Sequence, residues 1–367
     1  MTRLREALND IADEAPLVSL ADLAIAGHRR RRRTTLALAA IAAVAVLGVT
    51  TAAVALREPP GPRGDDTATP QDVATVPDLP DGEVGPLSHA YRTPCVIDTK
   101  RRRADCSAVE WRVVTRTGTT YRVPQALART TRESHVPVAI SRDGRLLAYY
   151  SRQAQAHVVR DLMTGTEQTS SVTVKEERIG PGSMLVVSDD GRHVVFDPRE
   201  GSKEPGMLID MRTGRTVPVQ GTYETVSVKD GVAALVRYVK TDLWLMPVTG
   251  GGRPVRFDGA FIFFSELAPD GRTVAAFEFQ DIKKPRLSLL DATTGRTLRK
   301  VAVSGLPKDG GVSNTSLWHS GSEVTIVYLT REFAGTYAVD VNTGQSRPLA
   351  RYPAKGMYTT LPGVAGS

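Results

Sequence analysis

The sequence predicts an all-β protein, a six-bladed β-propeller rather than one of five or seven blades, preceded by one transmembrane helix. A Thr-Gly pair recurs six times between residues 118 and 344, at spacings of 36 to 49 residues. The apolar runs between these pairs are short and rich in β-branched residues, which is typical of propeller blades and not of helical repeats. Upstream of them, one uncharged apolar segment is long enough to cross a bilayer.

Residues 1–33 are expected to form a cytoplasmic tail. Leu4, Leu8 and Ile11 follow helical spacing, and a second short apolar stripe follows Pro16. Residues 1–28 therefore predict two short amphipathic helices that lie on the inner leaflet or dock into a cytoplasmic protein partner. The alternative is a tail that serves only membrane insertion and topology. The tail ends in five arginines that set the topology: Arg29, Arg30, Arg31, Arg32 and Arg33.

Residues 34–56 run 23 positions without a charge and predict the transmembrane helix. As a helix they span about 34 Å, enough for a hydrocarbon core of about 30 Å. Because arginines precede this segment and an acidic stretch follows it, the positive-inside rule places the tail in the cytoplasm and the remainder outside. The competing interpretation is a signal peptide cleaved after Ala53-Val54-Ala55. The apolar run exceeds the roughly 7–15 residues of such signals and favours an uncleaved single-pass anchor in the cell membrane.

Residues 57–88 contain seven prolines, seven acidic residues and few large apolar side chains. A segment of this composition cannot bury enough apolar surface to fold, so it predicts a disordered, Pro-rich linker. The extracytoplasmic propeller is then residues 89–367, with a net charge of +10. Such a basic domain attracts anions. The alternative explanation for the charge is the arginine-rich composition of proteins from G+C-rich genomes.

Two turn signatures recur in the propeller segment. An Asp-Gly pair lies between the first two strands of a predicted blade, and Asp-x-x-Thr-Gly lies between the last two. Asp accepts hydrogen bonds from nearby backbone N–H groups and Gly adopts positive φ, so turn chemistry explains both signatures without a catalytic or calcium site. The predicted structural turn residues are Asp143, Gly144, Asp161, Gly165, Asp190, Gly191, Asp210, Gly214, Asp270, Gly271, Asp291, Gly295, Asp340 and Gly344.

One repeat can be assigned strand by strand. Strand A covers 137–141, strand B covers 146–151 and strand C covers 156–162, and a polar strand D follows Gly165. The apolar A and B runs predict strands that neighbouring blades cover on both faces. The first blade lacks a strand A, because 91–99 supply its strand B and 108–118 supply its strand C. We expect 356–361 to supply it, which closes the ring and removes both free edges.

Cys95 and Cys106 are the only cysteines in the chain. Both are predicted to lie outside the membrane, where disulfides persist. The ten residues between them suit a bridge across two adjacent antiparallel strands, which we expect to be strands B and C of the first blade. Two thiolates without a nearby histidine do not complete a tetrahedral metal site, so we expect no metal and no other cofactor.

The motifs Ser-Arg-Asp-Gly-Arg (141–145) and Ala-Pro-Asp-Gly-Arg (268–272) each precede an apolar strand. In these motifs the propeller segment resembles the WD-repeat and TolB-like β-propeller families, although it lacks the Gly-His and Trp-Asp pairs of true WD repeats. The resemblance implies partners that dock on the face of the D–A and B–C loops. The tail resembles the cytoplasmic ends of actinobacterial membrane proteins that act beside extracytoplasmic-function sigma factors. This second resemblance implies a sigma factor as a candidate partner of residues 1–28.

The sequence shows no arrangement of residues that indicates catalysis. It has no Gly-x-Ser-x-Gly elbow and no glycine-rich phosphate loop, and its histidines follow no ligand spacing. We therefore expect a protein that is not an enzyme and does not bind nucleic acid. The alternative is an envelope enzyme of the lyase or lactonase type, which would need His, Asp or Glu side chains gathered at the mouth of the central channel.

The predicted B–C loops are basic and form the candidate surface for a protein or an anionic envelope polymer. The candidate residues are Lys100, Arg101, Arg102, Arg103, Arg199, Lys203, Lys283 and Lys284. Arginines on the opposite face make the charge asymmetry modest, so a solvated basic surface is the alternative. We expect a membrane-anchored binding or sensing module that is coupled to a cytoplasmic partner. A structural scaffold in envelope assembly is a further alternative.

Overall fold

A computed structural model describes residues 76–98, 103–199, 202–238, 240–281, 284–353 and 359–366. These residues form six four-stranded antiparallel sheets and one small hairpin, which confirms an all-β propeller of six blades. The predicted tail, the predicted transmembrane helix and the arginines before it lie outside the described residues. Within the described part of the chain, no helix is long and apolar enough to cross a membrane.

We number the strands β1 to β26 in chain order and write A to D from the innermost to the outermost strand of a blade. Blade 1 contains β26 (Thr359–Thr360), β1 (Leu87–Arg92), β4 (Trp111–Thr115) and β5 (Thr120–Arg122). Blade 2 contains β6 (Ala139–Ile140), β7 (Leu146–Ser151), β8 (Ala156–Asp161) and β9 (Glu167–Thr169). Blade 3 contains β10 (Met184–Val187), β11 (His193–Asp197), β12 (Gly206–Asp210) and β13 (Thr216–Val219).

The other three blades follow the same A-to-D order. Blade 4 contains β14 (Glu224–Lys229), β15 (Val232–Arg237), β16 (Asp242–Pro247) and β17 (Val255–Arg256). Blade 5 contains β18 (Phe261–Ile262), β19 (Thr273–Glu278), β20 (Arg286–Asp291) and β21 (Thr297–Ala302). Blade 6 contains β22 (Gly311–Trp318), β23 (Glu323–Leu329), β24 (Phe333–Asp340) and β25 (Ser346–Pro353).

Three short elements lie in the loops between these strands. The hairpin of β2 (Val96–Asp98) and β3 (Arg103–Asp105) lies between strands B and C of blade 1. Two single-turn 3₁₀ helices span Glu176–Arg178 and Phe279–Asp281. In every blade the A–B and C–D turns lie on one face of the ring, here called the turn face. The B–C and D–A loops lie on the opposite face, here called the loop face.

The core of the ring lies between the blades. In β11, Val194 and Phe196 pack against blade 2, whereas Val195 points the other way into the cluster shared with blade 4. Successive side chains of a strand point to opposite faces of its sheet, so a strand between two neighbours must be apolar at every position. This is why strands A and B read as continuous apolar runs in the sequence, and why each blade depends on both of its neighbours.

The ring is closed by strand β26 as the sequence predicts. Thr360 pairs with Ala90 and Thr359 pairs with Tyr91, both antiparallel, so strand A of blade 1 comes from the far end of the chain. This pairing supplies the fourth strand of blade 1 and covers the inner edge of β1. The predicted segment was 356–361, of which 356–358 lie outside the described residues.

After β26 the chain turns into the central channel. The Gly363 amide donates to the Ile140 carbonyl at 3.0 Å, and Gly366 exchanges two backbone hydrogen bonds with Leu185 at 2.9 and 3.0 Å. A Cβ on Gly366 would lie 1.9 Å from the Val138 carbonyl oxygen, so the backbone is pressed against the inner strands. The segment 361–366 therefore lies inside the ring and contacts blades 2 and 3.

The sequence placed the start of the propeller at residue 89, and the structure corrects this boundary. Leu79 and Leu87 are buried in the cluster shared by blades 1 and 2. The Leu79 amide donates to the Arg122 carbonyl at 2.8 Å, and the Val84 amide donates to the Leu162 carbonyl at 2.8 Å. The few apolar residues of the proline-rich stretch are enough to hold it against the blades, so 76–88 belong to the propeller and not to the linker.

The glycines of the C–D turns also hold neighbouring blades together. Gly295 has a φ of +74°, and a Cβ on it would lie 1.9 Å from the Arg256 carbonyl oxygen of blade 4. Gly271, in the A–B turn of the same blade, has a similar φ of +68° but no atom within 4 Å of a Cβ position. The two glycines thus share a backbone conformation and differ in how closely the neighbouring blade approaches.

We predict that Gly295→Ala destabilises the protein by about 2–4 kcal/mol, because the new methyl group forces blades 4 and 5 apart in addition to straining the turn. Gly271→Ala is the matched control and is expected to cost about 1 kcal/mol, since only the positive φ opposes it. Denaturant unfolding of the two purified variants measures the difference. Equal losses of stability would show that blade packing does not depend on this contact.

Candidate functional site

The A–B turns use their aspartates to organise the backbone. Asp143 Oδ1 accepts hydrogen bonds from the Ser141 hydroxyl at 2.7 Å and the Arg145 amide at 3.0 Å. Asp190 Oδ1 accepts the matching pair in blade 3, from Ser188 at 2.6 Å and the Arg192 amide at 3.0 Å. Asp270 Oδ1 accepts from the Arg272 and Thr273 amides in blade 5 at 2.8 Å each. The three glycines that follow them have positive φ: Gly144, Gly191 and Gly271.

The C–D turns use the same chemistry. Asp161 Oδ1 accepts from the Met163 amide at 2.9 Å, and Asp340 Oδ1 accepts from the Asn342 and Thr343 amides at 2.8 Å each. Asp210 and Asp291 accept corresponding backbone bonds in blades 3 and 5. The glycines of these four turns all have positive φ: Gly165, Gly214, Gly295 and Gly344. Each aspartate is used by its own turn, and the blades keep the turns apart.

The structure adds a link between the two turns of a blade that the sequence analysis did not find. The arginine after the Asp-Gly pair reaches the first aspartate of the C–D turn, as in Arg145 to Asp161 and Arg192 to Asp210. The Arg145 guanidinium holds the pKa of the Asp161 carboxyl below its usual range. Arg272 likewise pairs with Asp291 in blade 5 and holds the pKa of that carboxyl below its usual range. The signal is the arginine of Asp-Gly-Arg, which recurs in blades 2, 3 and 5.

A buried charge cluster lies where the channel reaches the turn face. Glu266 is 4% exposed, and its Oε1 lies 3.1 Å from Arg142 Nη2 and 3.6 Å from Lys229 Nζ. The Trp318 amide donates to the same oxygen at 2.9 Å. Burial raises the pKa of Glu266, although these three neighbours oppose the rise. Asp189 of blade 3 is the second carboxylate of this cluster, so two acids balance two bases across blades 2, 3, 4 and 5.

The channel itself is filled at this point. Together with Gly363 and Val364 of the inner segment, the charge cluster lines a pocket of about 20 Å³, the room needed for a single water molecule. Within the described residues, no group of three His, Cys, Asp or Glu side chains is placed to hold a metal ion. The channel mouth thus contains a charge network, with the carboxylates Glu266 and Asp189, and a segment of the chain.

The predicted basic surface is only partly described. Arg199, Lys203 and Lys284 are exposed on the loop face, in blades 3 and 5. Two further exposed bases on this face are Lys240 and Arg331, in blades 4 and 6. Arg103 is the first residue of β3. The other predicted members lie outside the described residues: Lys100, Arg101, Arg102 and Lys283.

Exposed apolar side chains also lie on the loop face. The apolar patch consists of Val96 and Ile97 in blade 1, Phe279 in blade 5 and Leu329 in blade 6, with exposures of 68%, 69%, 58% and 47%. These three blades are consecutive around the closed ring. Other exposed large apolar residues, such as Leu298 on β21, lie elsewhere on the ring. The sequence did not predict this patch, because Val96 and Ile97 fall within the segment 91–99 that was assigned to strand B of blade 1.

That assignment is wrong because strand B of blade 1 is β1, which ends at Arg92. The segment after it leaves the blade as the β2–β3 hairpin and returns at β4. Cys95 and Cys106 form the predicted disulfide, with their Cα atoms 4.3 Å apart. The bridge closes the base of this hairpin and does not join strands B and C directly, as the sequence analysis expected. It holds an isolated two-stranded ribbon that would otherwise be marginally stable.

A scan against protein-family models finds no match to this sequence, and a search of curated proteins finds none either. Among solved structures, TolB from Acinetobacter baumannii is 15% identical over 72% of this chain, with a TM-score of 0.45. This chain covers 64% of that TolB, which is less than two thirds of its length. A putative TolB from Agrobacterium tumefaciens is 14% identical, with 74% of this chain and 91% of that chain covered and a TM-score of 0.43. The Cps50 (Swd1) propeller domain of Myceliophteria thermophila is 16% identical, with 63% and 76% covered and a TM-score of 0.39. The six sheets of this chain, and not these similarities, carry the fold assignment.

Proposed function

We propose that this protein is a membrane-anchored, extracytoplasmic propeller that binds a protein partner through its loop face. The observation that carries the proposal is the apolar patch on three consecutive blades. A soluble surface exposes scattered apolar side chains, but a group of them on one face marks an interaction site. Basic side chains on the same face, such as Lys284 and Arg331, supply the polar part of such a site.

The composition of this face favours a protein over an anionic polymer. An anionic polymer needs only the positive charge of this face. Burial of Phe279 and Ile97 lowers the free energy of binding only when the partner also presents an apolar surface. An acidic protein with an exposed apolar contact fits both features. The charges would guide the encounter and the apolar residues would supply the affinity. The filled channel leaves this face as the surface of the ring best suited to a large partner.

The membrane anchor and the cytoplasmic partner are supported by the sequence. The uncharged run 34–56 follows Arg29–Arg33, and this order favours a single pass with residues 1–33 in the cytoplasm. The apolar stripes of residues 1–28 suit a groove on a cytoplasmic protein, with a sigma factor as one candidate. On this proposal the propeller senses or binds its partner outside the membrane, and the tail reports the binding inside.

To test the loop face, two variants of the full-length protein are expressed in its native cells. In one a photoreactive amino acid replaces Phe279, and in the other it replaces Leu298. Irradiation is expected to give discrete protein adducts at position 279, because that side chain lies in the proposed interface. Leu298 is the matched control, since it is 53% exposed but lies on the outer strand β21. Mass spectrometry identifies the adducts.

The charge part of the proposal is tested in the same cells. Lys284→Glu with Arg331→Glu is expected to lower the adduct yield at position 279 by about tenfold, as expected when like charges are placed across an interface. Adducts at position 298 that match those at 279 would mean non-specific contact. An absence of adducts at 279 would remove the loop face from the proposal.

The topology is tested with single cysteines placed at Ser19 and Thr67, since the native pair is joined in a disulfide. A membrane-impermeant maleimide is expected to label Thr67→Cys in intact cells and Ser19→Cys only after permeabilisation. The charge order around the apolar segment predicts this result. Labelling of Ser19→Cys in intact cells would reverse the topology, and recovery of Thr67→Cys in the soluble fraction would indicate a cleaved or unanchored protein.

A further inference from the structure

A cleft of about 470 Å³ opens on the turn face between blades 3 and 4. Val228 and Val248 form its apolar part, at the end of the core cluster shared by the two blades. Carboxylates and the imidazole of His193 line the remainder. The volume lies within the range of small-ligand sites, roughly 300–1,000 Å³. This cleft lies on the face opposite the proposed partner surface and is argued independently of it.

The equivalent position on the turn face between blades 2 and 3 is filled by side chains. Leu146 follows Asp-Gly-Arg in blade 2, as His193 does in blade 3. Leu146 and Val159 pack so closely on the next A–B turn that a Cβ on Gly191 would lie 2.9 and 3.2 Å from them. The corresponding Gly231 of blade 4 has no atom within 4 Å of that position. The turn of blade 4 therefore stands away from blade 3 and leaves the cleft open.

His193 points to a ligand because its mostly buried side chain leaves its ring nitrogens to the cleft. It is 8% exposed, and its ring nitrogens make no hydrogen bond to any described residue, although its backbone amide donates to Ser188. Val195, two residues along the same strand, packs toward blade 4, so His193 faces the cleft as well. Burial lowers the pKa of His193, so its imidazole is neutral at pH 7 and can accept a hydrogen bond.

The charges of the cleft favour a cation. Arg192 and Asp210 neutralise each other as an ion pair. Asp189 lies beside Arg142 and Lys229 of the charge cluster, which balance it together with Glu266. The other carboxylates of the lining are Asp190 and Asp230, against one arginine, Arg215. Asp190 already accepts two bonds within its turn, and Asp189 accepts the Arg142 amide at 3.3 Å. The cleft thus has more negative than positive charge beside an apolar wall.

We propose that the cleft binds an alkylammonium group, with its aliphatic stem against Val228 and Val248 and its ammonium between Asp189, Asp230 and the His193 imidazole. Carboxylates and a neutral imidazole are the acceptors that an ammonium with three donors requires. Val228 and Val248 provide an apolar wall against which a stem of methylenes can pack. The group can come from a lysine side chain of a polypeptide or from a free diamine.

The full-length protein in detergent is titrated by calorimetry with two ammonium probes, Nα-acetyl-L-lysine methylamide and 1,5-diaminopentane. A third, neutral probe is the blocked lysine with its side-chain nitrogen acetylated. Saturable binding of at least one ammonium probe, weakened by salt and absent for the neutral analogue, is the expected result. Tighter binding of the blocked lysine assigns the group to a polypeptide, and tighter binding of the diamine assigns it to a free amine. No binding at about 10 mM, or equal binding of the neutral analogue, overturns the proposal.

Variants locate the binding in the cleft. Asp189→Asn with Asp230→Asn is expected to weaken binding by at least about tenfold, since two of the three carboxylates are lost. His193→Leu copies Leu146 of blade 2 and is expected to keep the melting temperature while it abolishes binding. Asp258→Asn with Asp309→Asn removes the same charge from the loop face and is the matched control. Equal effects of the two double variants, or unchanged affinity in His193→Leu, would place the binding elsewhere.

Discussion

The fold depends on one short antiparallel contact, in which Thr359 and Thr360 pair with Tyr91 and Ala90. A blade is apolar on both faces, so it is stable only between two neighbours, and a row of blades with open ends would leave two such faces in water. This contact brings together strands that are about 270 residues apart in the chain. With it, each of the six blades has two neighbours and every apolar face is covered.

The closing strand also leads the chain into the central channel. Because the chain continues from β26 into the channel, Gly363 and Gly366 occupy the space that an open ring would offer to a ligand. The charge cluster around Glu266 completes the filling at the turn face. The two faces of the ring carry the features on which both proposals rest. The loop face offers a broad apolar and basic surface, and the turn face offers a small acidic cleft.

The sequence predicted the parts of the fold that local chemistry determines. Asp-Gly and Asp-x-x-Thr-Gly specify turns through neighbouring backbone groups, so their repetition was enough to count the blades and to place Asp161 or Asp340 in a turn. It did not predict the pairing of Arg145 with Asp161, because that contact joins two turns and depends on strand register. The exposure of Ile97 and the opening beside His193 were missed for a similar reason. Both depend on how far a loop stands from its neighbour, which no local pattern records.

Hydrogen exchange, followed by mass spectrometry on the full-length protein, tests the closed ring most directly. If residues 359–366 pair with blades 1, 2 and 3 as described, their amides exchange as slowly as those of the inner strands β6 and β10 and become exposed only in global unfolding. Exchange of 359–366 within seconds, while β6 and β10 stay protected, would contradict the account. It would mean that the ring is held by blade packing alone and that the channel is open.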